Sequence, residues 1–90
     1  MNANEIATIL DGYDRIANAI EKAIDADKSL VDEDDRWVAH LFWSCDIQSL
    51  EVNASEQTLF GYGTVWTLQT GGSHEQINFT VPLETLRRYR

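Results

Sequence analysis

The side chains able to do chemistry in this 90-residue chain are few: His40, His74, Cys45 and Asp46, with Ser44 and Ser73 each near a histidine in sequence. A zinc site would need His, Cys or carboxylate ligands at spacings such as Cys-x-x-Cys or His-x-x-x-His. No pair here has them. On a strand over 37–45, His40 and Cys45 would face opposite sides. They read as a strand histidine and a buried thiol. A serine or cysteine nucleophile needs a base in reach and a local context that exposes it. Ser44 and Ser73 lack that context, and no cation beside Cys45 in sequence favours its thiolate. Gly61-Tyr62-Gly63 and Gly71-Gly72 lack the Lys-Ser/Thr and helix start of a phosphate loop. The expectation is a non-enzymatic chain with no catalytic residue, no metal and no cofactor. An enzymatic or small-ligand role around His40, Cys45 and His74 is the remaining chemical alternative.

Charge is the more informative property. Residues 1–35 carry ten acids against three bases, residues 36–81 four against one, and residues 82–90 one acid against three arginines, for a total of −8. An acidic chain is repelled by nucleic acid, so direct nucleic-acid binding is not expected. The exception is the tail Arg87-Arg88-Tyr89-Arg90, which could touch a phosphate backbone, pair with the acidic front half, or fray. The length suits one domain, residues 1–90. One cysteine rules out an internal disulfide, and small secreted domains usually rely on disulfides, so a cytoplasmic location is expected. The start, Met1-Asn2-Ala3-Asn4-Glu5, lacks the basic region of a signal peptide, and no stretch approaches a membrane span. The sequons at Asn53 and Asn78 read as a turn and as part of a strand.

The elements follow from periodicity. Ile6, Ile9, Leu10, Tyr13, Ile16, Ala17, Ile20, Ala23 and Ile24 recur at three and four, predicting one amphipathic helix over 1–27. Asn2 and Glu5 have capping-box spacing, and Gly12 is the weak point where a bend would fall. Residues 28–35 read as an acidic loop, with a short helix from Asp32 as the competing reading. Residues 36–81 read as an antiparallel β meander of about four strands: 36–45, 46–53 with a bulge near Asp46, 57–69 and 75–81, with a helix over 37–45 as the competing reading of the first. Asn53–Glu56 and Thr70–Ser73 are the turns. Pro82 opens a short basic helical tail, 82–90, with Leu83 and Leu86 as its apolar pair. The class is α+β: a long N-terminal helix packed on an antiparallel sheet, with a short C-terminal helix.

Two constellations emerge. Asp11, Asp14, Asn18, Glu21 and Asp25 form one ridge of about 21 Å on that helix, and Asp32, Glu33, Asp34 and Asp35 extend it. Arg15 and Lys22 interrupt the ridge. Such a row loosely imitates backbone phosphates, which lie one per about 1.7 Å of duplex axis. Trp37, Phe42, Trp43, Phe60, Tyr62 and Trp66 form the second set, more aromatic bulk than one small core readily buries. In size and charge, though in no motif, the chain resembles phage-encoded anti-defence proteins such as anti-CRISPR and anti-restriction inhibitors. That resemblance implies a viral protein acting in a host cytoplasm.

The function expected is an inhibitor that blocks a basic, nucleic-acid-binding surface on a protein partner. Asp11, Asp14, Glu21, Asp25 and Asp32–Asp35 would capture it, and Trp37, Trp43, Tyr62 and Trp66 would anchor it. The alternative, of another class, is a self-associating structural or assembly subunit, such as a homodimer, that pairs through the apolar sheet face.

Overall fold

A computed structural model describes residues 1–39, 45–66 and 74–90; the side chains of Ala39, Cys45, Trp66 and His74 lie outside that description. The N-terminal amphipathic stretch is two helices rather than one: α1, Ala3–Leu10, and α2, Tyr13–Ala26. The Asn2 side chain caps α1 by accepting from the Glu5 amide at 2.9 Å. The break falls at Gly12, whose φ of +87° is a left-handed value that glycine adopts without a Cβ penalty. Asp11 is extended there, and the Gly12 carbonyl accepts the first amide bonds of α2. The chain can therefore re-aim its apolar stripe. Ile9 is buried from α1, and Ile16, Ala19, Ile20, Ala23 and Ile24 from α2. Ala19 rather than Ala17 completes the stripe. Tyr13 lies 58% exposed, with its hydroxyl donating to the Ile47 carbonyl at 2.7 Å.

Two 3-10 turns follow, Lys28–Leu30 and Glu33–Asp35. They lead into α3, Arg36–Ala39. Among the described residues the sheet has three antiparallel strands, β1 (Cys45–Asn53), β2 (Thr58–Trp66) and β3 (His74–Pro82), in that spatial order. Helix α4, Leu83–Tyr89, closes the chain. The class is α+β, but the first of the four expected strands is absent among the described residues, since Arg36–Ala39 are helical and 40–44 lie outside them. The physical reason is local. The acidic turn Glu33–Asp35 places negative charge at the amino end of α3, where the helix dipole favours it. The outer edge of β3 carries Val31, bridged antiparallel to Phe79. The turn expected at Thr70–Ser73 also lies outside the described residues.

Strand alternation holds. Ile77, Phe79 and Val81 are buried on β3, with Leu59 and Val65 beside them on β2 and Ile47 on β1. Leu83 and Leu86 of α4 join Ile9 and the α2 stripe in the same core. The arginine tail does not fray: the Arg90 guanidinium donates to the Asp11 carbonyl at 2.8 Å, beside the helix break. Gln57 ties two other pieces together, its side chain accepting from the Met1 ammonium and its carbonyl from the Leu83 amide.

The bulge falls between Ile47 and Ser49, close to Asp46, as expected. It presses the Ser49 carbonyl group against Gly61 on β2. A Cβ at Gly61 would overlap that oxygen and stand 3.0 Å from its carbon, with backbone on both sides unable to give way. Gly61→Ala is therefore expected to cost about 1–3 kcal/mol through overpacking. Gly12→Ala is expected to cost about 1–2 kcal/mol through φ strain alone. Urea denaturation of both variants checks the two values.

Candidate partner-binding surface

The acidic residues fall into two kinds. Some hold the fold. The Asp27 carboxylate caps the first 3-10 turn by accepting from the Ser29 hydroxyl and, at 3.0 Å, from the Ser29 amide. The hydroxyl bond, then the amide bond, then the Arg36 charge hold Asp27 below the ordinary carboxylate range. Asp35 Oδ2 accepts from both the amide and the side-chain nitrogen of Asn78, each at 3.0 Å. The Asn78 carbonyl accepts from the Asp32 amide at 2.9 Å. Behind this junction, the Arg36 guanidinium donates twice to the Val31 carbonyl. The acidic segment is thus stitched to the β3 edge rather than free.

The other acids face outward. On α2, Asp14, Asn18, Glu21 and Asp25 share one ridge of about 16 Å. Asp14 and Asp25 are exposed and Glu21 is half-buried. Asp11 does not belong to this ridge, because the chain breaks there and Asp11 ends α1. Asp25 pairs with Lys28 at 3.9 Å. Asp32, Glu33 and Asp34 are exposed on the stitched segment. Of the expected capture residues, Asp11, Asp14, Asp25, Asp32, Glu33 and Asp34 are therefore exposed and Glu21 is half-buried. Asp35 is a structural acid.

The aromatic anchors separate similarly. Trp37 is 52% exposed on α3, two residues beyond the acidic turn. Tyr62 is 39% exposed on the outer face of β2, and Phe60, two residues away on the same face, is 38% exposed. Trp43 lies outside the described residues, and so does the side chain of Trp66, whose backbone pairs with His74. In register, Phe60 lies opposite Glu51 of β1 and Thr80 of β3, and Tyr62 opposite Ser49 and Asn78. These residues and Asp32 line an open groove of about 330 Å³. The acidic segment and the sheet aromatics, separate in sequence, meet there. Glu51 is the residue that periodicity did not single out. Strand alternation puts Phe60 beside Tyr62, but only the pairing register shows which acid stands opposite.

A larger groove, about 460 Å³, runs between α1 and α4 and includes Glu5, Arg87 and Arg90. Its arginines are engaged, Arg87 with Glu84 at 3.7 Å and Arg90 with the Asp11 carbonyl. Among the described residues, no three His, Cys, Asp or Glu side chains converge to hold a metal ion. His40 and Ser44, and the side chains of Cys45 and His74, lie outside the description. No described helix is long and apolar enough to cross a membrane. No family model, curated protein or solved structure matches the chain.

Two measurements separate structural from surface acids. Asp35→Ala leaves the half-buried Asn78 amide without its acceptor and is expected to cost about 1–3 kcal/mol in chemical denaturation. Asp34→Ala should stay within about 0.5 kcal/mol of the native chain. Because the folded-state value of Asp27 is depressed, its cap stabilises the fold above the ordinary carboxylate range and is lost as pH falls through that depressed value. Ser29→Ala is expected to move the Asp27 titration upward, toward the ordinary value, read from its carboxyl carbon by NMR.

Proposed function

We propose that this chain is a non-enzymatic protein-binding module that occupies a basic surface on a protein partner. The reading fits an inhibitor that covers a site where the partner holds nucleic acid. The observation that carries it is the set of acids left facing solvent after the structural ones are subtracted: the α2 ridge and Asp32–Asp34. Surface carboxylates in a row raise the association rate with a cationic partner and deter anionic ones. They also mean that capture weakens as salt screens it, over about 10 Å at 0.1 M. Tyr62, which lines one groove with Asp32, and Trp37, two residues beyond Asp35 in sequence, supply the apolar contact that charge alone does not.

A second reading, self-association through the sheet face, is favoured by the exposure of Phe60 and Tyr62. A symmetric pairing of that face would set Glu51 and Asp32 of one copy near those of the other, and like charges across an interface are destabilising. Mass by light scattering across a concentration series distinguishes it from a monomer that binds a different protein.

The test of the first reading is capture from source-cell extract by the native chain and by a variant carrying Asp14→Asn, Glu21→Gln, Glu33→Gln and Asp34→Asn. These positions carry none of the fold's acid-mediated bonds described above. The native chain is expected to retain a nucleic-acid-binding protein, to lose it as salt rises, and to displace its nucleic acid. The variant should lose most of that capture. Equal capture by both forms would remove the acidic surface from the mechanism.

A further inference from the structure

We infer that the groove on the outer sheet face accepts an arginine side chain presented by a protein partner. The inference rests on the acidic-module reading and names the group that this part of the surface takes. Phe60 and Tyr62 occupy alternate positions of the central strand, so their rings stand side by side on one face. Glu51 lies opposite Phe60 on the β1 side. Asp32 stands on the β3 side, placed there by its amide bond to the Asn78 carbonyl. A carboxylate therefore flanks the aromatic pair on each side of a groove of about 330 Å³. Among the described residues, neither carboxylate has a side-chain partner.

This combination selects by chemistry. A guanidinium is planar and weakly hydrated; it stacks on aromatic faces while its N–H fork pairs with carboxylates. An ammonium brings the charge without the plane, so a lysine gains less. A purely apolar occupant would strip water from two carboxylates and offer them nothing. A nucleic-acid strand could stack its bases on the rings, but its phosphates would meet Glu51 and Asp32 on a chain of net charge −8. A second copy of this chain brings the same two carboxylates.

The test uses the full chain, isotopically labelled, titrated by NMR with an acetylated Gly-Arg repeat peptide and, separately, with the matching Gly-Lys peptide. The arginine peptide is expected to bind about ten-fold more tightly, within the range of a partly desolvated cation–π contact. The amides of Phe60, Gly61, Tyr62 and Asn78 should move most. Phe60→Thr with Tyr62→Thr keeps strand-compatible residues on an exposed face. It should abolish the preference for arginine while leaving weak, salt-sensitive binding of both peptides. Glu51→Gln, close in shape and exposed, should lower arginine-peptide affinity several-fold with the rings intact. Equal binding of the two peptides, with shifts confined to α2 and residues 32–35, would overturn the groove and leave the acidic-surface reading standing. Binding of neither peptide would overturn both. Concentration-dependent self-association abolished by the double threonine variant would assign the face to a second copy and overturn the inference.

Discussion

Asn78 commits all four of its polar groups. Its amide and side-chain nitrogen donate to Asp35, its carbonyl accepts from Asp32, and its side-chain oxygen accepts from Gln76. Because Tyr62 is its partner across the ladder, these bonds run along the outer side of β3. Much of the architecture depends on this junction. It seats Val31 against Phe79 and gives the acidic segment a fixed path. It also occupies the edge where another strand would add. Without it, residues 28–35 would be a charged linker with no preferred position, and Asp32 would have no reason to stand beside the sheet aromatics.

The same junction shows where the sequence was legible and where it was not. Three of the four expected strands, 46–53, 57–69 and 75–81, with the tight turn after Asn53, correspond to β1, β2 and β3, because local pattern and burial agree there. Residues 13–26 are helical as their spacing requires. The single long helix is not, because apolar spacing continues unbroken across Gly12 and only the backbone angle reveals the break. Residues 36–39 mislead for another reason. Their apolar alternation suits a strand, but the acidic turn Glu33–Asp35 at their amino end favours the start of a helix. The candidate groove depends on register, which aligns Glu51 with Phe60 and Asn78 with Tyr62. A sequence pattern can place residues on a face but not opposite one another.

The division of labour among the acids has an electrostatic logic. Fifteen carboxylates on ninety residues repel one another, and that repulsion disfavours the compact state. The chain answers in two ways. Asp27 and Asp35 are given hydrogen-bond donors, turning charge into turn and edge structure. Glu33 and Asp34 are accommodated by position instead. They sit at the start of α3, where unpaired amides and the helix dipole tolerate negative charge. Much of the remaining surface charge lies on α2 and along the β3 side of the sheet.

The distortion of β1 bears on how such a molecule avoids its own kind. Open strand edges invite strand addition between copies, the first step toward fibrils. Here one edge of the sheet is covered at Asn78 and Phe79 by the Val31–Asp35 segment. The other is bent by the bulge at Ile47–Ser49, which Gly61 holds in place, and carries outward charges at Asp46 and Glu51. Neither offers the flat, complete row of amides and carbonyls that a neighbouring chain would copy. A concentrated solution of this protein is thus shielded from ribbon-like growth by backbone geometry as well as by net charge.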